Sequence, residues 1–198
     1  MTTDLQVLLG VLATAVLSMP VYVLTGASKR PDALASGAQG TFVLGSFVRS
    51  WFYWTVSPVV RASLAVGLGP TFYNLLGVAF GIGAGVAFAS GNVTLGGWGV
   101  LLGGMADVLD GRIARAGGLA DARGVFLDST LDRFAEIGAF VGLAVLFRSS
   151  SFTLVVVVIA MGGSLLVSYA RARGESQGVV CKLGVMQRAE RLLLLGLG

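Results

Sequence analysis

Long stretches without a charged residue constrain the fold of this chain more than any other feature. Residues 5–24, 62–106 and 149–170 contain no charged side chain. A helix needs about 20 mostly apolar residues to cross a bilayer, so each stretch is long enough for at least one crossing. Charged residues make up only 12% of the chain, against roughly 25% in an average soluble domain. The sequence therefore predicts an all-α integral membrane protein.

Five membrane spans follow from these stretches and their surroundings. The turn-like sequence at residues 90–94 divides the longest stretch into two. Residues 124–147 also have the length of a span but contain four charged residues, and charged groups within a bilayer are costly and generally functional. The predicted spans are residues 5–24, about 70–89, about 95–113, 124–147 and 149–170. No positive charge precedes the first, which favours a retained span over a cleaved signal peptide.

An interfacial helix is predicted between the first two spans. Residues 47–66 combine a run of four aromatic residues with Arg49 and Arg61, which is typical of a helix lying along the membrane surface. Pro58 and the two arginines argue against a further span. Residues 26–45 are small and polar and predict a linker.

The positive charges predict the orientation of the bundle. Thirteen of the fourteen lysines and arginines lie on one side of the predicted spans, and only Arg148 lies on the other. Loops rich in lysine and arginine remain on the cytoplasmic side. The acidic cluster described next lies on that same side, so the sequence predicts a site at the cytoplasmic face of the cell inner membrane.

Two absences narrow the chemistry available to this site. The sequence has no histidine and a single cysteine, Cys181. Catalytic triads with an imidazole base, histidine-ligated metals, thiolate zinc sites and internal disulfides are therefore excluded. Six of the ten acidic residues lie between residues 107 and 136, so carboxylates are the groups expected to carry the function.

Four of these acids have helical spacing. Asp107 and Asp110 are three residues apart, and Asp128 and Asp132 are four apart, so each pair shares a helix face. A short loop joins the two predicted helices, which places all four carboxylates near one another. Four negative charges in a low-dielectric site repel strongly without cations, and hard divalent ions such as Mg²⁺ or Mn²⁺ prefer oxygen ligands.

A structural alternative stays open, in which the aspartates pair with Arg112, Arg115 and Arg133 as an ionic lock. Gly111 and Gly124 favour ligand binding, because glycine lets the backbone approach a bulky ligand such as a nucleotide.

A stripe of small residues is predicted to serve packing. Gly77, Gly81 and Gly85 are spaced by four, so they share one helix face. Such stripes let membrane helices approach closely, and no chemistry is assigned to these glycines.

The acidic pattern resembles a known family signature. Asp107-xx-Asp110-Gly111-xx-Ala114-Arg115, then eight residues, then Gly124-xxx-Asp128-xxx-Asp132 is similar to the signature of the CDP-alcohol phosphotransferase family, with every position filled. Pro70-Thr71-Phe72-Tyr73-Asn74 resembles the start of that family's first core span. The resemblance runs from about residue 47 to the end of the chain.

The resemblance implies a polytopic helical bundle with six core spans, preceded by an interfacial helix and usually forming a homodimer. The chain would supply four core spans and the beginning of a fifth at residues 192–198, so we expect the natural protein to continue. The expected domains are residues 1–45, an extra N-terminal span with its linker; residues 46–69, the interfacial helix; and residues 70–198, an incomplete catalytic domain.

The resemblance also implies the reaction and the residue roles. The phosphatidyl group of CDP-diacylglycerol is transferred to an alcohol, and CMP is released. Two Mg²⁺ or Mn²⁺ ions are expected on Asp107, Asp110 and Asp128, with Asp132 as the general base and a further metal contact. The residues expected to bind CDP are Asn74, Asp110, Gly111, Ala114, Arg115 and Gly124.

A second polar cluster bears on the acceptor. Guanidinium groups match phosphate oxygens well, which favours a phosphorylated acceptor, although arginines here also fit ordinary positive-inside flanks. The string Ser168-Tyr169-x-Arg171-Ala172-Arg173-x-Glu175, followed by Arg188-x-Glu190-Arg191, resembles the subgroup that makes phosphatidylinositol phosphate from inositol phosphate. By that resemblance the acceptor phosphate binds Arg171, Arg173, Arg188 and Arg191. Gly174 and the segment at residues 181–183 depart from the subgroup pattern.

Three alternatives remain at this point: a phosphatidylglycerophosphate synthase that uses glycerol 3-phosphate, a cation transporter that uses the aspartates as an ion site, and a membrane anchor with an inactive site. The expected partners are the two substrates, membrane lipids and a second copy of the chain, with no nucleic acid.

Overall fold

The computed structural model describes residues 13–14, 17–25 and 45–178. The linker at residues 26–44, the arginines at 188 and 191, and the last apolar run lie outside the described residues. Within the described part the chain is helical and has no strand. The five long helices of this described part are α1 (Gly45–Val66), α2 (Pro70–Ala89), α3 (Val93–Ala116), α4 (Ala122–Leu146) and α5 (Ser151–Ser176).

Polar N-cap residues explain why three helices start at residues other than those of the predicted spans. The side chains of Asn92, Asp121 and Ser150 accept hydrogen bonds from backbone N–H groups at the starts of α3, α4 and α5, as N-cap residues generally do. α2 has the predicted bounds. α3 and α5 extend beyond their apolar stretches because helical backbone continues through polar residues that hydropathy alone places outside the bilayer.

By length and composition, two of the described helices, α2 and α5, could cross a membrane. Glycines and aspartates make α3 and α4 more polar, although both were predicted as spans. A further helical segment at residues 17–24 falls within the predicted N-terminal span.

The first long helix, α1, continues through its internal proline. Pro58 has no N–H to donate to the carbonyl of Trp54, and the Ser57 hydroxyl donates to that carbonyl instead, at 2.8 Å. The N-terminal segment packs on the same helix: Trp51 Nε1 donates to Ser18 Oγ at 3.0 Å, and Tyr22 contacts the Trp54 ring at 5.5 Å between centroids.

Close helix packing organises the bundle around α2, which contacts both α3 and α4 extensively. A Cβ on Gly81 would lie 2.6 Å from the backbone of Ala135, and one on Gly85 would collide with the carbonyl of Gly138. The predicted packing role is confirmed for Gly81 and Gly85, whereas a Cβ on Gly77 would make only an ordinary contact, 3.7 Å from the Gly103 carbonyl of α3. Since α2 runs antiparallel to α3 and parallel to α4, the start of α2 lies beside the end of α3 and the start of α4.

Replacing Gly85 by alanine should destabilise the bundle, whereas the same change at Gly83 should not. The Gly85 substitution forces two helix backbones apart, and overpacking of this kind typically costs about 1–3 kcal/mol. A Cβ at Gly83 meets no atom within 4 Å, and alanine is the better helix former. Thermal unfolding in detergent should show a lower Tm for Gly85→Ala than for Gly83→Ala. Equal values would contradict the close contact between α2 and α4.

A buried apolar cluster fixes α1 against the end of the bundle that holds the acids. It consists of Val56, Val60, Tyr73, Leu109 and Ile113. Two polar contacts join the same helices: the hydroxyls of Ser63 and Tyr73 are 2.6 Å apart, and the guanidinium of Arg112 stacks 4.4 Å from the ring centroid of Tyr53.

Candidate active site

The structure brings three of the predicted carboxylates together. Asp107, Asp110 and Asp128 each offer an oxygen, and the three atoms lie within 4.8 Å of one another. Asp110 is buried, with 4% of its surface exposed. Oxygen donors from two helices at this spacing suit a hard divalent cation such as Mg²⁺ or Mn²⁺, which would also offset the mutual repulsion of the carboxylates.

A short turn between α3 and α4 makes this convergence possible. Gly118 adopts a positive φ of 64°, a conformation that glycine reaches without steric cost. Asp121 then starts α4 by accepting a hydrogen bond from the backbone N–H of Gly124, at 2.6 Å. The chain thereby reverses direction, and the last turns of α3 face the first turns of α4.

The third helix of the site is α2, through Asn74. This residue is buried, and with its amide nitrogen turned toward the carboxylates it donates to Asp110 Oδ2 and, at 3.2 Å, to Asp128 Oδ1. Asn74 therefore connects an aspartate of α3 with one of α4 and orients both. Its predicted contact with CDP stays a prediction.

The fourth predicted carboxylate, Asp132, follows Asp128 by one helical turn, about 6 Å along the axis of α4. It is half-buried and is not one of the three acids whose oxygens converge. Its roles as general base and metal ligand stay predictions.

The remaining residues of the signature lie on the same two helices as the clustered acids, α3 and α4. A Cβ on Gly111 would lie 3.3 Å from Arg115 Nη1, so the guanidinium of Arg115 lies over bare backbone. A Cβ on Gly124 would lie 2.9 Å from Asp121 Oδ1. Glycine at this position therefore leaves room for the Asp121 carboxylate that caps the start of α4. Ala114, which directly precedes Arg115 in the sequence, is half-buried. Their predicted contacts with CDP stay predictions.

The arginines of the ionic-lock alternative differ in their burial and in their described contacts. Arg112 is buried, with 4% exposure, and stacks on Tyr53 of α1, whereas Arg115 lies over Gly111. Arg133 Nη1 is buried and has no hydrogen-bond partner among the described residues.

Arg171 and Arg173, predicted to bind the acceptor phosphate, are exposed near the end of α5. Because the short turn after Leu146 makes α5 antiparallel to α4, this end of α5 lies at the same end of the bundle as the acidic cluster.

Besides the hydrogen bonds of Asn74 to the aspartates, sequence reasoning missed two contacts near the site. The stacking of Arg112 on Tyr53 has no sequence signal, because it joins residues far apart in the chain. The second is a hydrogen bond from the Ser164 hydroxyl of α5 to Glu136 Oε1 of α4. Glu136 continues the four-residue spacing of Asp128 and Asp132, which is the signal that could have drawn attention to it.

Comparison with known proteins gives a consistent result. The sequence model of the CDP-alcohol phosphatidyltransferase family matches residues 68–197. The chain is 35% identical over 144 residues to the archaetidylinositol phosphate synthase of Methanothermobacter thermautotrophicus, covering 70% of this chain and 72% of the relative. It is 34% identical over 155 residues to the phosphatidylinositol phosphate synthase of Mycobacteroides abscessus, covering 76% and 70%.

Solved structures agree with the sequence matches. Mycobacterium tuberculosis phosphatidylinositol phosphate synthase with CDP-DAG bound matches with a TM-score of 0.63 at 30% identity, over 72% of this chain and 73% of that one. The same enzyme in complex with manganese and citrate gives a TM-score of 0.64 at 30% identity, over 71% and 69%. The predicted fold class, an all-α membrane bundle, is confirmed. The chain belongs to the CDP-alcohol phosphatidyltransferase family.

Proposed function

We propose that this protein transfers the phosphatidyl group of CDP-diacylglycerol to inositol phosphate, forming phosphatidylinositol phosphate and CMP. The observation that carries the proposal is the convergence of Asp107, Asp110 and Asp128 in a chain whose relatives include phosphatidylinositol phosphate synthases. The solved relative with CDP-DAG bound supports the choice of donor substrate.

The three carboxylates would hold divalent metal, with Asn74 keeping Asp110 and Asp128 in place. We propose two ions, Mg²⁺ or Mn²⁺; the manganese complex of the solved relative supports metal use. When bound, such ions neutralise charge on phosphoryl oxygens and on the leaving group. Gly111, Ala114, Arg115 and Gly124 lie on the same helices as the acids and are proposed to receive the nucleotide.

In the proposed reaction Asp132 accepts the proton of the acceptor hydroxyl. The hydroxyl oxygen then forms a bond to the phosphorus that carries the diacylglycerol, and the bond from that phosphorus to the CMP oxygen breaks. CMP leaves with the electron pair of that bond. A carboxylate positioned as general base typically contributes about 10²–10⁴-fold to the rate.

The acceptor phosphate is proposed to bind the arginines at the end of α5, Arg171 and Arg173, together with Arg188 and Arg191. The position of Arg171 and Arg173 at the acidic end of the bundle supports a phosphorylated acceptor over a neutral alcohol, because guanidinium groups favour phosphate.

We propose that this end of the bundle faces the cytoplasm. The described basic residues Arg61, Arg115, Arg123 and Arg171 lie at that end, and Arg148 lies at the opposite end of α4, in keeping with the positive-inside rule. The lipid tails of the donor then remain in the bilayer. The division into an N-terminal unit, an interfacial helix and a catalytic domain, and the homodimer, are part of the same proposal.

An acceptor panel tests the function. The full chain in detergent, with CDP-diacylglycerol and Mg²⁺, should release CMP when inositol phosphate is added, and much less with serine or free inositol. Turnover of glycerol 3-phosphate without turnover of inositol phosphate would contradict the proposed acceptor. No CMP release with any acceptor, together with cation flux into liposomes, would replace the transferase by a transporter.

A further inference from the structure

The last described helix, α5, has few buried positions. Its buried residues are Val157 and Ser164, which are seven residues apart and therefore share a helix face. The Ser164 hydroxyl donates to the carboxylate of Glu136 on α4. A polar bond between two helices fixes their register at one point, because hydroxyl and carboxylate both lose hydrogen-bonding water when the helices enter the bilayer.

The positions of the neighbouring functional residues follow from this bond. On α4, Asp128 precedes Glu136 by eight residues, which is about 12 Å of helix. On α5, Arg171 follows Ser164 by seven residues, about 10 Å of helix. Because the helices are antiparallel, Asp128 and Arg171 lie at nearly the same level. Arg171 also continues the face of Val157 and Ser164, since seven residues are close to two turns.

We infer that Glu136 and Ser164 are positioning residues for the acceptor: their hydrogen bond sets the register of α4 and α5 and so places Arg171 beside the metal-binding acids, an inference that rests on the proposed function. Glu136 itself is about 12 Å along the axis from Asp128, too far to share its metal ion. Neither residue belongs to the family signature described above.

Steady-state kinetics with both substrates separate this role from a purely structural one. Glu136→Leu and Ser164→Ala should each raise the KM for inositol phosphate by about tenfold, with the KM for CDP-diacylglycerol and kcat changed by less than about twofold. The double variant should be no worse than the worse single variant, because both remove the same bond.

Conservative variants and a packing control complete the kinetic test. Glu136→Gln keeps an acceptor oxygen and Ser164→Thr keeps a hydroxyl, so both should retain a near-normal KM for inositol phosphate. Val157→Ala removes packing from the same face of α5 and should lower thermal stability without raising that KM. A Glu136→Gln variant as impaired as Glu136→Leu, an equal rise in both KM values, or no rise in either would overturn the inference.

A measurement without substrate keeps the register testable even if inositol phosphate is not turned over. Spin labels at residues 123 and 172, both exposed, in a Cys181→Ser background should give one narrow distance distribution. Glu136→Leu should broaden or shift it, and Val157→Ala should not. An unchanged distribution in Glu136→Leu would overturn the inference, whereas lack of turnover by the wild-type chain would overturn the proposed function alone.

Discussion

Replacing Asp110 by asparagine should lower metal-dependent CMP release by roughly 10³-fold or more, because metal ions contribute several kcal/mol to phosphoryl transfer. Asp110 is the most buried of the three clustered carboxylates and receives the amide of Asn74. Asparagine has nearly the same shape and hydrogen-bonding size, so the substitution removes the charge and leaves the packing. The measurement is CMP release in detergent over a range of Mg²⁺ and Mn²⁺ concentrations.

Thermal unfolding of the same variant separates metal binding from folding. A metal that binds only the native state raises its stability by RT ln(1 + [L]/Kd). The wild-type Tm should therefore rise with added Mn²⁺, and this rise should be largely lost in Asp110→Asn. Without metal, the Tm of the variant should equal or exceed that of wild type, because one of three mutually repelling charges has been removed.

The matched control is Asp121→Asn. Asp121 is exposed and caps α4 through Gly124, and asparagine caps a helix about as well as aspartate. Activity and the Mn²⁺-dependent rise in Tm should both survive this change. If Asp110→Asn instead kept the full rise in Tm, the three-carboxylate cluster would not be the metal site.

The helices and the acidic cluster could be predicted from the sequence because each depends on local spacing. The charge-free stretches predict where α2 begins and ends. The spacing of Asp107, Asp110 and Asp128 predicts that these three side chains lie close together. Both inferences need only the helical repeat and one short turn. Helix ends were harder to predict where a polar side chain such as Asn92 caps the backbone. Such a residue belongs to the end of the helix, but its polarity resembles that of a loop.

The relative arrangement of the helices could not be predicted in the same way. The short loop predicted α3 and α4 as direct neighbours, whereas each packs more extensively on α2, against Gly81 and Gly85 in the case of α4. Asn74 is for that reason a bridge between aspartates of two different helices. Such contacts depend on how each helix is rotated about its axis, and rotation follows from packing across the whole bundle.

The same reasoning applies to Glu136. Its spacing from Asp132 was visible in the sequence, but its partner on α5 depends on the register of the two helices. No sequence pattern around a serine in an apolar stretch indicates which residue of another helix accepts its hydrogen bond.

Asp132→Asn should lower CMP release by about 10²–10⁴-fold, the usual contribution of a positioned general base. Asp132 lies one turn of α4 beyond Asp128 and outside the group of three converging oxygens. A neutral amide cannot accept the proton of the acceptor hydroxyl, so kcat should fall while the KM for CDP-diacylglycerol changes little. Single-turnover CMP release is the direct measurement.

Metal titration of this variant separates the two roles predicted for Asp132. A general base that does not contact metal leaves the Mn²⁺-dependent rise in Tm within experimental error of wild type. Loss of that rise would make Asp132 a fourth metal ligand, since removing a ligand weakens binding to the native state. Full activity of Asp132→Asn, with Asp121→Asn unchanged beside it, would exclude Asp132 as the base, and the proton would then have to leave through another group at this end of the bundle.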